Sequence, residues 1–430
     1  MGEPLLGQPG ALQGARLQYH KLQAWAARGS RPGERMILGI RNFRSVQGQE
    51  VELAPLTVVY GPNGAGKSSL VYALPTLRNI ILNPNQASAG FFNFTFITLG
   101  GFEAVVFDHQ QSNKIGLAIR VEERSGYAID YAISFTEAQA TFAIRATHDS
   151  QEASAELSVP LPYPANQQAA IQFPDLAVAF VWNGITAQIS GSVSPEQQAT
   201  IQRLVTALNK PVEILRKTTI VPLRRGFSKP LYTPVAATTM LASEEEVATM
   251  LLQNKYLVSK VSFYLEQVVG RDFRINVQPG TGLFSLDALD KKSGIGTELV
   301  NEGFGVNQLV YFLAKCLQPD VEWVCVEEPE IHLHPSALRQ LVAVLVHLVR
   351  VEGKKFLIST HSEPFVSSIL TEVLRRDLKP TDVACYLARK DKRVTTFERQ
   401  QINEQGQLEG GLMSFMEGEL EDVKAFLRTE

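Results

Sequence analysis

The sequence predicts an α/β fold in which a parallel sheet carries its functional residues at the strand ends. Three observations support this prediction. A glycine-rich loop joins a short apolar strand, Leu56 to Tyr60, to a helix. Two later apolar strands, residues 321–326 and 355–360, each end in polar or titratable side chains. From Glu298 onward, loop, helix, strand, helix and strand follow in the order typical of a parallel α/β core.

The composition of the 430-residue chain is that of a globular protein. Lys and Arg number 41 against 44 Asp and Glu, so the formal charge is −3 and the chain lacks the basic excess of a protein that coats nucleic acid. No apolar run reaches the roughly 18 residues that a membrane span requires. The longest run, Leu341 to Val351, contains His347 and Arg350. The sequence therefore predicts no membrane association.

The cysteines and the N-terminus indicate a cytoplasmic protein. The three cysteines, Cys316, Cys325 and Cys385, are odd in number, and two of them lie in strongly apolar runs, which disfavours a disulfide framework. The N-terminus has no apolar signal-peptide region, and Leu6 stands where a lipidation signal after Gly2 has Ser or Thr. A reducing compartment and the absence of an anchor fit these features best.

Changes in composition divide the chain into predicted segments. The first 35 residues are rich in Gly, Gln, Ala and Arg without a clear period, whereas an ordered alternation begins at Met36. The part from about 147 to 195, rich in Ala, Gln, Ser and Pro, separates two parts that each carry site residues, which is typical of an insertion. The segments are an N-terminal extension (1–35), the N-terminal part of a head domain (36–133), an inserted lobe (134–297), the C-terminal part of the head (298–370) and a C-terminal tail (371–430).

A phosphate-binding loop is predicted where the first strand of this core meets its helix. The loop fits the pattern GxxxxGK[ST], and its glycines let backbone N–H groups turn toward phosphate oxygens at the positive end of the helix. Lys67 is expected to neutralise the β- and γ-phosphates of ATP, and Ser68 to place its hydroxyl on Mg²⁺. The alternative is a chance glycine-rich turn, which the strand-loop-helix context disfavours. The predicted nucleotide-binding residues here are Gly61, Pro62, Asn63, Gly64, Ala65, Gly66, Lys67, Ser68 and Ser69.

Two adjacent carboxylates follow the apolar strand 321–326 and lie where an open α/β sheet binds its ligand. One carboxylate can hold Mg²⁺ while its neighbour orients and deprotonates the attacking water. We assign Glu327 to Mg²⁺ and Glu328 to the general base. A solvated acidic turn would explain this segment alone, but the phosphate loop completes a nucleotide site with it.

Three histidines need separate interpretation. His361 follows the strand 355–360, where an imidazole can contact the γ-phosphate or the attacking water, although a lone histidine at a strand end is more often structural. His332 and His334 lie in a cluster that suggests a metal site. We reject that interpretation because the sequence has no second pair of ligands at matching spacing, and a turn after the acidic strand explains both residues.

A second glycine-containing segment, residues 301–308, precedes an apolar helix. Its backbone amides and the helix dipole make another end that favours anions. The alternative is an ordinary glycine-containing helix start.

Together these residues resemble the ATP-binding-cassette type heads of the SMC-like and OLD-like (overcoming lysogenization defect) ATPases of the AAA family. The stretches ILGIRNFRSVQGQEVELAPLTVVYGPNGAGKSSL, VEWVCVEEPEIHLHP and LISTHSE are similar to that group in content, order and spacing. The resemblance covers about residues 36–430 and is closest to a small branch that lacks a Toprim nuclease domain. It implies an α/β P-loop NTPase of ATP-binding-cassette (SMC-like) type with an inserted mixed α+β lobe.

By this resemblance, GFGVNQ corresponds to the signature loop, which binds the γ-phosphate of ATP held by a second copy of the head. The nucleotide-binding residues that the resemblance implies in this loop are Gly303, Gly305, Asn307 and Gln308. Two composite sites then form across a head-to-tail homodimer. The family often has Ser where this chain has Asn307 and Asp where it has Glu327, and both differences keep a polar side chain. The resemblance also places near the nucleotide a glutamine, supplied by Gln110 or Gln111, and the basic residues Arg41 and Arg44.

The same resemblance implies the activity. Wider relatives carry a Toprim nuclease or long coiled-coil arms, whereas the residues after Thr371 hold no acidic nuclease constellation. We therefore expect an ATPase that dimerises around ATP·Mg²⁺ and gates a separate nuclease or a DNA-linked partner, in DNA maintenance or anti-phage defence. The alternative is a nucleotide-responsive scaffold or sensor with negligible turnover. A transporter ATPase subunit is disfavoured because the usual transporter signature is missing.

Overall fold

The structure, a computed structural model of the protein, describes residues 35–94, 96–148, 151–173, 178–191, 193, 195, 197–236, 243–409 and 411–412. The predicted N-terminal extension, apart from Arg35, and the end of the predicted tail lie outside these residues. The β-strands are β1 (Arg35–Phe43), β2 (Val46–Leu53), β3 (Leu56–Tyr60), β4 (Ile115–Glu122), β5 (Ala128–Phe135), β6 (Gln139–His148), β7 (Gln151–Pro160), β8 (Ala169–Ile171), β9 (Ala179–Trp182), β10 (Ala187–Ser190), β11 (Thr218–Val221), β12 (Arg271–Val277), β13 (Phe284–Asp290), β14 (Gly296–Glu298), β15 (Trp323–Glu327), β16 (Lys355–Thr360), β17 (Val383–Asp391) and β18 (Val394–Gln400).

The helices follow the strands in the alternating order that the sequence predicts from Glu298 onward. The α-helices are α1 (Lys67–Leu82), α2 (Phe102–Val105), α3 (Gln198–Arg216), α4 (Glu244–Gln253), α5 (Lys255–Val269), α6 (Phe304–Cys316), α7 (Pro335–Arg350) and α8 (Glu363–Leu374). None of these helices is both long and apolar enough to cross a bilayer.

The central sheet has the strand order β11-β15-β16-β3-β17-β18. Its first five strands are parallel, and only β18 runs antiparallel to its neighbour β17. Strands β3 and β15 are buried along their whole length, which explains their continuous apolar sequences. The carboxyl ends of β3, β15 and β16 meet at one edge of the sheet, and the phosphate loop, Glu327, Glu328 and His361 lie at these ends.

Successive residues of the central strands point into two different hydrophobic cores. Val59, Cys325 and Leu357 belong to a core shared with α1, α3 and the antiparallel sheet. Val58 and Val324 belong to a second core that packs against α5 to α8. The three cysteines are buried free thiols, so none is disulfide-bonded, as predicted.

A six-stranded antiparallel sheet of order β2-β1-β4-β5-β6-β7 covers the first core. Strands β4 and β5 of this sheet form an antiparallel hairpin. The sheet continues through β6 and β7, so the predicted boundary between residues 133 and 134 lies inside β5. The alternating burial of β5 is that of a sheet with one face on the core.

Two parts of the chain contribute to the central sheet from outside the predicted head. Strand β11, in the predicted lobe, forms one edge of the sheet through pairing with β15. Strands β17 and β18, in the predicted tail, form the opposite side, with β17 directly beside β3. The lobe also contributes two small antiparallel sheets, β8 to β10 and β12 to β14. The strands of one sheet therefore come from several of the predicted segments. The bounds of these segments remain a prediction.

Candidate nucleotide site

The phosphate loop has the conformation that its glycines allow. Gly61, Gly64 and Gly66 have φ values of 140°, 76° and 92°, in the region that side chains disfavour. At Gly61 a Cβ atom would also lie 2.6 Å from the carbonyl oxygen of Ala388. Helix α1 begins directly afterwards at Lys67, so its unpaired N–H groups and positive dipole end face the loop.

The Lys67 side chain lies within this loop. Its Nζ donates hydrogen bonds to the carbonyl oxygens of Gly61 and Pro62, at 2.8 and 3.0 Å. Burial lowers the pKa of the ammonium group, whereas the negative charges of Glu328 and Glu327 oppose that shift. The carboxylates therefore favour the charged form of Lys67 that phosphate oxygens require.

Ser68 and Glu327, the two predicted metal ligands, are in direct contact. The Ser68 hydroxyl donates to Oε1 of Glu327, and the Tyr72 hydroxyl donates to Oε2 at 3.0 Å. Only 9% of Glu327 is exposed. Hydroxyl and carboxylate oxygens are the ligands that Mg²⁺ prefers, so the pair fits a magnesium ion held beside the phosphates.

Glu328 and His361 form a second pair at the same edge. Glu328 has a positive φ of 45°, and its N–H donates to the carbonyl oxygen of Ser359 at 2.8 Å. This backbone turn aims the side chain across to β16, where Oε2 contacts Nδ1 of His361. The imidazole is 53% exposed and the carboxylate 15%, so the pair lies at the border of the solvent. The structure thus brings together the base and the histidine that the sequence predicts.

Glu330 is a third carboxylate of the site to which the sequence analysis assigns no role. It accepts a hydrogen bond from the Thr360 hydroxyl, and ligand atoms of Glu328, Glu330 and His361 lie within 4.8 Å of one another. The pKa of Glu330 is raised to about 7, chiefly by burial and also by the charge of Glu328, while the hydrogen bond from Thr360 opposes the shift. Burial could not be read from the local pattern, in which Glu330 looks like part of a solvated turn.

Glu330→Gln should therefore stabilise the protein in alkaline solution. An acid whose pKa is raised by folding destabilises the native state at pH values above its pKa in the unfolded chain. For Glu330 this loss of unfolding free energy begins at about pH 4.5 and is complete above its folded pKa near 7. Glutamine removes the penalty, so we expect a gain on the order of 3 kcal/mol in unfolding free energy at pH 8.5 and little change at pH 4.5. Urea unfolding at both pH values measures it. An equal gain at both values would contradict the assignment.

Arg225 supports the acidic strand end and is not identified by the sequence analysis. Its guanidinium donates to the carbonyl oxygens of Pro222, Glu327 and Glu328, at 3.0, 2.8 and 2.7 Å. Burial lowers its pKa to about 10, and nearby carboxylates, Glu330 first, oppose the shift. Arg225 thereby fixes the backbone that carries the two adjacent carboxylates.

The structure separates the two arginines that the resemblance places near the nucleotide. Arg44 lines the cleft above the phosphate loop, where one guanidinium nitrogen is buried and has no hydrogen-bond partner among the described residues. Arg41 is exposed and lines a different groove. Gln110 and Gln111 are exposed and do not line the cleft, whereas the preceding His109 does.

The cleft has a volume of about 740 Å³, and the C-terminal strands form one of its walls. Lys390, at the end of β17, and Lys392 and Arg393, in the turn between β17 and β18, line it together with the phosphate loop. The Thr395 hydroxyl donates to the Ala65 carbonyl at 3.0 Å and to Ser45, which in turn contacts the Ser69 hydroxyl. A segment predicted as a tail therefore supplies cations to the cleft and holds the loop in place.

The predicted signature residues lie outside this cleft. Gly303 is exposed at the start of α6, and a Cβ at Gly305 would lie 2.7 Å from the His332 carbonyl oxygen. Asn307 is 7% exposed, donates to the carbonyl oxygens of Phe227 and Leu299, and accepts from the Phe227 N–H. In this head it joins α6 to the neighbouring segments. Gln308 is partly buried, and contact of these residues with nucleotide on a second head stays a prediction.

His332 and His334, for which a metal site was rejected, have structural contacts. Nδ1 of His334 accepts the N–H of Ser336 at 3.3 Å and so caps α7, with Pro335 in the first turn. His332 has a positive φ of 63° and stacks its ring 5.6 Å from that of Phe304. These contacts agree with the turn that the sequence analysis assigns to this segment.

Sequence comparison identifies two parts of the head. Residues 233–368 match a family described as "AAA domain, putative AbiEii toxin, Type IV TA system", and residues 38–75 match a family described as "AAA domain". Together the two matched ranges span less than half of the chain. With the phosphate loop, the matches support the ATPase head that the sequence analysis infers from its resemblance. No curated protein sequence matches the chain.

Three solved structures of SMC heads are distantly similar to the chain. One is the SMC head domain from Thermotoga maritima, at 10% identity and a TM-score of 0.39, covering 84% of this chain and 97% of that one. A second is an Smc head bound to the C-terminal winged-helix domain of ScpA, at 10% identity, a TM-score of 0.45 and coverages of 86% and 98%. A third is an Smc head with an extended coiled coil bound to the C-terminal domain of ScpA, derived from Pyrococcus furiosus. Its sequence identity is 10% and its TM-score 0.42, and the match covers 90% of this chain and 98% of that one.

Proposed function

We propose that the protein binds ATP·Mg²⁺ and hydrolyses it to ADP and phosphate. The observation that carries this proposal is that Lys67, Ser68, Glu327 and Glu328 line one cleft at the carboxyl edge of the sheet. These side chains supply a cation for the phosphates, two oxygen ligands for the metal and a carboxylate for the attacking water. Mg²⁺, when bound, would neutralise charge on the phosphate oxygens.

In this mechanism the chain's own residues position the water and accept its proton. Glu328 is directed by its backbone turn and by the contact of Arg225 with its carbonyl, so the carboxylate is held before substrate binds. Its contact with His361 must open or rearrange for the carboxylate to take a proton from water. His361 would then be released to contact the γ-phosphate. Turnover would in this way depend on whether the contact between Glu328 and His361 is open.

We also propose that ATP joins two heads. The signature segment lies outside the cleft of its own head, and Phe304, at its helix start, is 73% exposed. Leu223, on the rim of the cleft, is 41% exposed. Phe304 lies beside a helix N-terminus and Leu223 beside the nucleotide cleft. Exposed apolar side chains at these two places can be buried against the corresponding surfaces of a second copy of the chain. The γ-phosphate would then stabilise the closed pair, and hydrolysis would release it.

The expected output is control of a separate nuclease or a DNA-linked partner. This part of the proposal is supported by the resemblance stated from the sequence motifs. The formal charge of −3 gives no sign of extensive DNA coating by the chain itself. Recovery of partners from the native host on the ATP-bound Glu328→Gln chain, identified by mass spectrometry, tests it. Recovery of neither a nuclease nor DNA would contradict it.

Light scattering tests the dimer. Glu328→Gln in ATP·Mg²⁺ is expected to have twice the monomer mass, and in ADP·Mg²⁺ the monomer mass, because only ATP presents a γ-phosphate to the second head. Adding Phe304→Ser should prevent the dimer while leaving ATP bound, and Ile97→Ser, another exposed apolar position, serves as the matched control. A monomer in ATP would overturn the dimer proposal. Tight ATP binding by the wild-type chain with negligible turnover would instead favour a nucleotide-responsive scaffold.

A further inference from the structure

Three side chains beyond the ends of β15 and β16 bring together atoms of the kinds that bind transition metals. Glu328 and Glu330 follow β15, His361 follows β16, and one ligand atom of each lies within 4.8 Å of the other two. The donors are two carboxylate oxygens and one imidazole nitrogen. The predicted magnesium site is different, because it consists of a hydroxyl and the carboxylate of Glu327. Magnesium prefers oxygen ligands alone, whereas an imidazole favours ions of the zinc class.

One carboxylate oxygen of this cluster is buried without a partner. Glu330 is 7% exposed, and the Thr360 hydroxyl donates to its Oε1. Its Oε2 is buried and has no hydrogen-bond partner among the described residues. The hydrogen bonds of the nearby Arg225 guanidinium go to backbone carbonyl oxygens, so they do not satisfy this atom. Buried carboxylates are normally paired or coordinate a metal, which makes a cation the expected partner of Oε2.

The cluster has the geometry of a metal site that is nearly assembled. The backbone turn at Glu328 directs its carboxylate toward His361, and the hydrogen bond from Thr360 orients Glu330 as an outer contact orients a metal ligand. With bonds of about 2.1 Å, ligand atoms around tetrahedral Zn²⁺ lie about 3.4 Å apart, so these atoms must approach by about 1.4 Å at most. The imidazole is 53% exposed, so rotation of its ring can supply that approach.

We propose that Glu328, Glu330 and His361 bind one divalent transition-metal ion of the zinc class, and that this ion stops ATP hydrolysis. The ion takes the carboxylate with which Glu328 would accept the proton of the attacking water, and it also holds the imidazole. The phosphate loop and Glu327 are not used, so ATP·Mg²⁺ remains bound. The inhibition rests on the proposed ATPase function, whereas the binding of the ion does not.

Zn²⁺ alone is the probe for the site. The full-length chain is titrated without nucleotide and in excess Mg²⁺, in competition with a chromophoric chelator, and we expect saturable binding. Glu330→Gln and His361→Asn should each weaken Zn²⁺ about tenfold or more. Absence of saturable binding by the wild-type chain would overturn the proposal, as would unchanged affinity in both folded variants. Glu330→Gln keeps the size of the side chain, and His361 is half exposed, so both variants should fold.

His334→Asn is the matched control. His334 is an exposed histidine in the same turn, it caps α7, and asparagine is also a good cap. Neither it nor His332 belongs to a group of three metal-ligating side chains within the described part of the chain. Zinc affinity should therefore be unchanged in His334→Asn. An equal loss in His334→Asn and His361→Asn would place the ion elsewhere and overturn the assignment.

Phosphate release in saturating ATP·Mg²⁺ tests the inhibition, with free Zn²⁺ set by a metal buffer. Wild-type turnover should fall about tenfold or more as the site fills, while the affinity for a fluorescent ATP analogue is unchanged. Glu330→Gln, compared with its own rate without zinc, should need about ten times more free Zn²⁺. Full turnover with the cluster occupied would overturn the inhibition. A wild-type chain without turnover in the absence of zinc would contradict the proposed function instead, and the titration without nucleotide would still decide whether the site exists.

Discussion

Glu328→Gln is expected to bind ATP as tightly as the wild-type chain and to hydrolyse it about 100 to 10,000 times more slowly, the usual contribution of a general base. Glutamine keeps the size of the side chain but cannot accept the proton of the attacking water. Lys67, Ser68 and Glu327, which hold the phosphates and the metal in our proposal, are unchanged. Steady-state phosphate release gives the turnover, and equilibrium binding of a fluorescent ATP analogue gives the affinity.

The control for this substitution is Glu137→Gln. Glu137 is an exposed glutamate near the turn between β5 and β6, and the same chemical change there should alter neither turnover nor affinity. Wild-type turnover in Glu328→Gln would show that another group is the base. Loss of ATP affinity together with turnover would indicate that Glu328 holds the nucleotide or the metal instead.

Lys67→Ala is expected to weaken ATP binding at least 100-fold, or about 2.7 kcal/mol. The ammonium is held inside the loop by the carbonyl oxygens of Gly61 and Pro62, where it can reach phosphate oxygens when the cleft is filled. Alanine removes that charge and leaves the β- and γ-phosphates without their principal cation from this chain. Calorimetric titration with ATP·Mg²⁺ measures the loss.

Two measurements separate this effect from damage to the fold. Lys114→Ala removes an exposed lysine and should keep wild-type affinity. The melting temperature of Lys67→Ala without nucleotide should stay near that of the parent, because alanine removes the cost of burying the ammonium, which offsets the loss of its two hydrogen bonds. A folded Lys67→Ala chain that binds ATP normally would contradict the assignment of the loop.

The local parts of the site could be predicted from the sequence because each depends on adjacent residues. A glycine-rich loop between a buried strand and a helix has few conformations, and carboxylates after apolar strands must meet at the sheet edge. Contact between Ser68 and Glu327, and between Glu328 and His361, follows once β3, β15 and β16 are neighbours.

The remaining parts depend on contacts between distant residues, for which no local pattern exists. Arg225 looks like any basic residue after a strand until it is buried against two carbonyls of the acidic turn. Strands β17 and β18 follow α8 as ordinary alternating strands, and only the pairing of β17 with β3 brings them to the phosphate loop. For Asn307, residue type indicated a ligand contact, whereas burial assigns its amide to the packing of α6.

The pairing of β3 with late strands also affects how the protein is made. The hydrogen bond between Thr395 and Ala65 joins residues 330 positions apart, and that between Ser68 and Glu327 joins residues 259 apart. Contacts of such high contact order form slowly, because a long loop must close before they stabilise anything. During translation, α1 and the glycine loop therefore leave the ribosome long before the strands that complete them. Until β17 emerges, we expect the nascent chain to expose the edge of β3, which makes this stage of synthesis the one most dependent on chaperones.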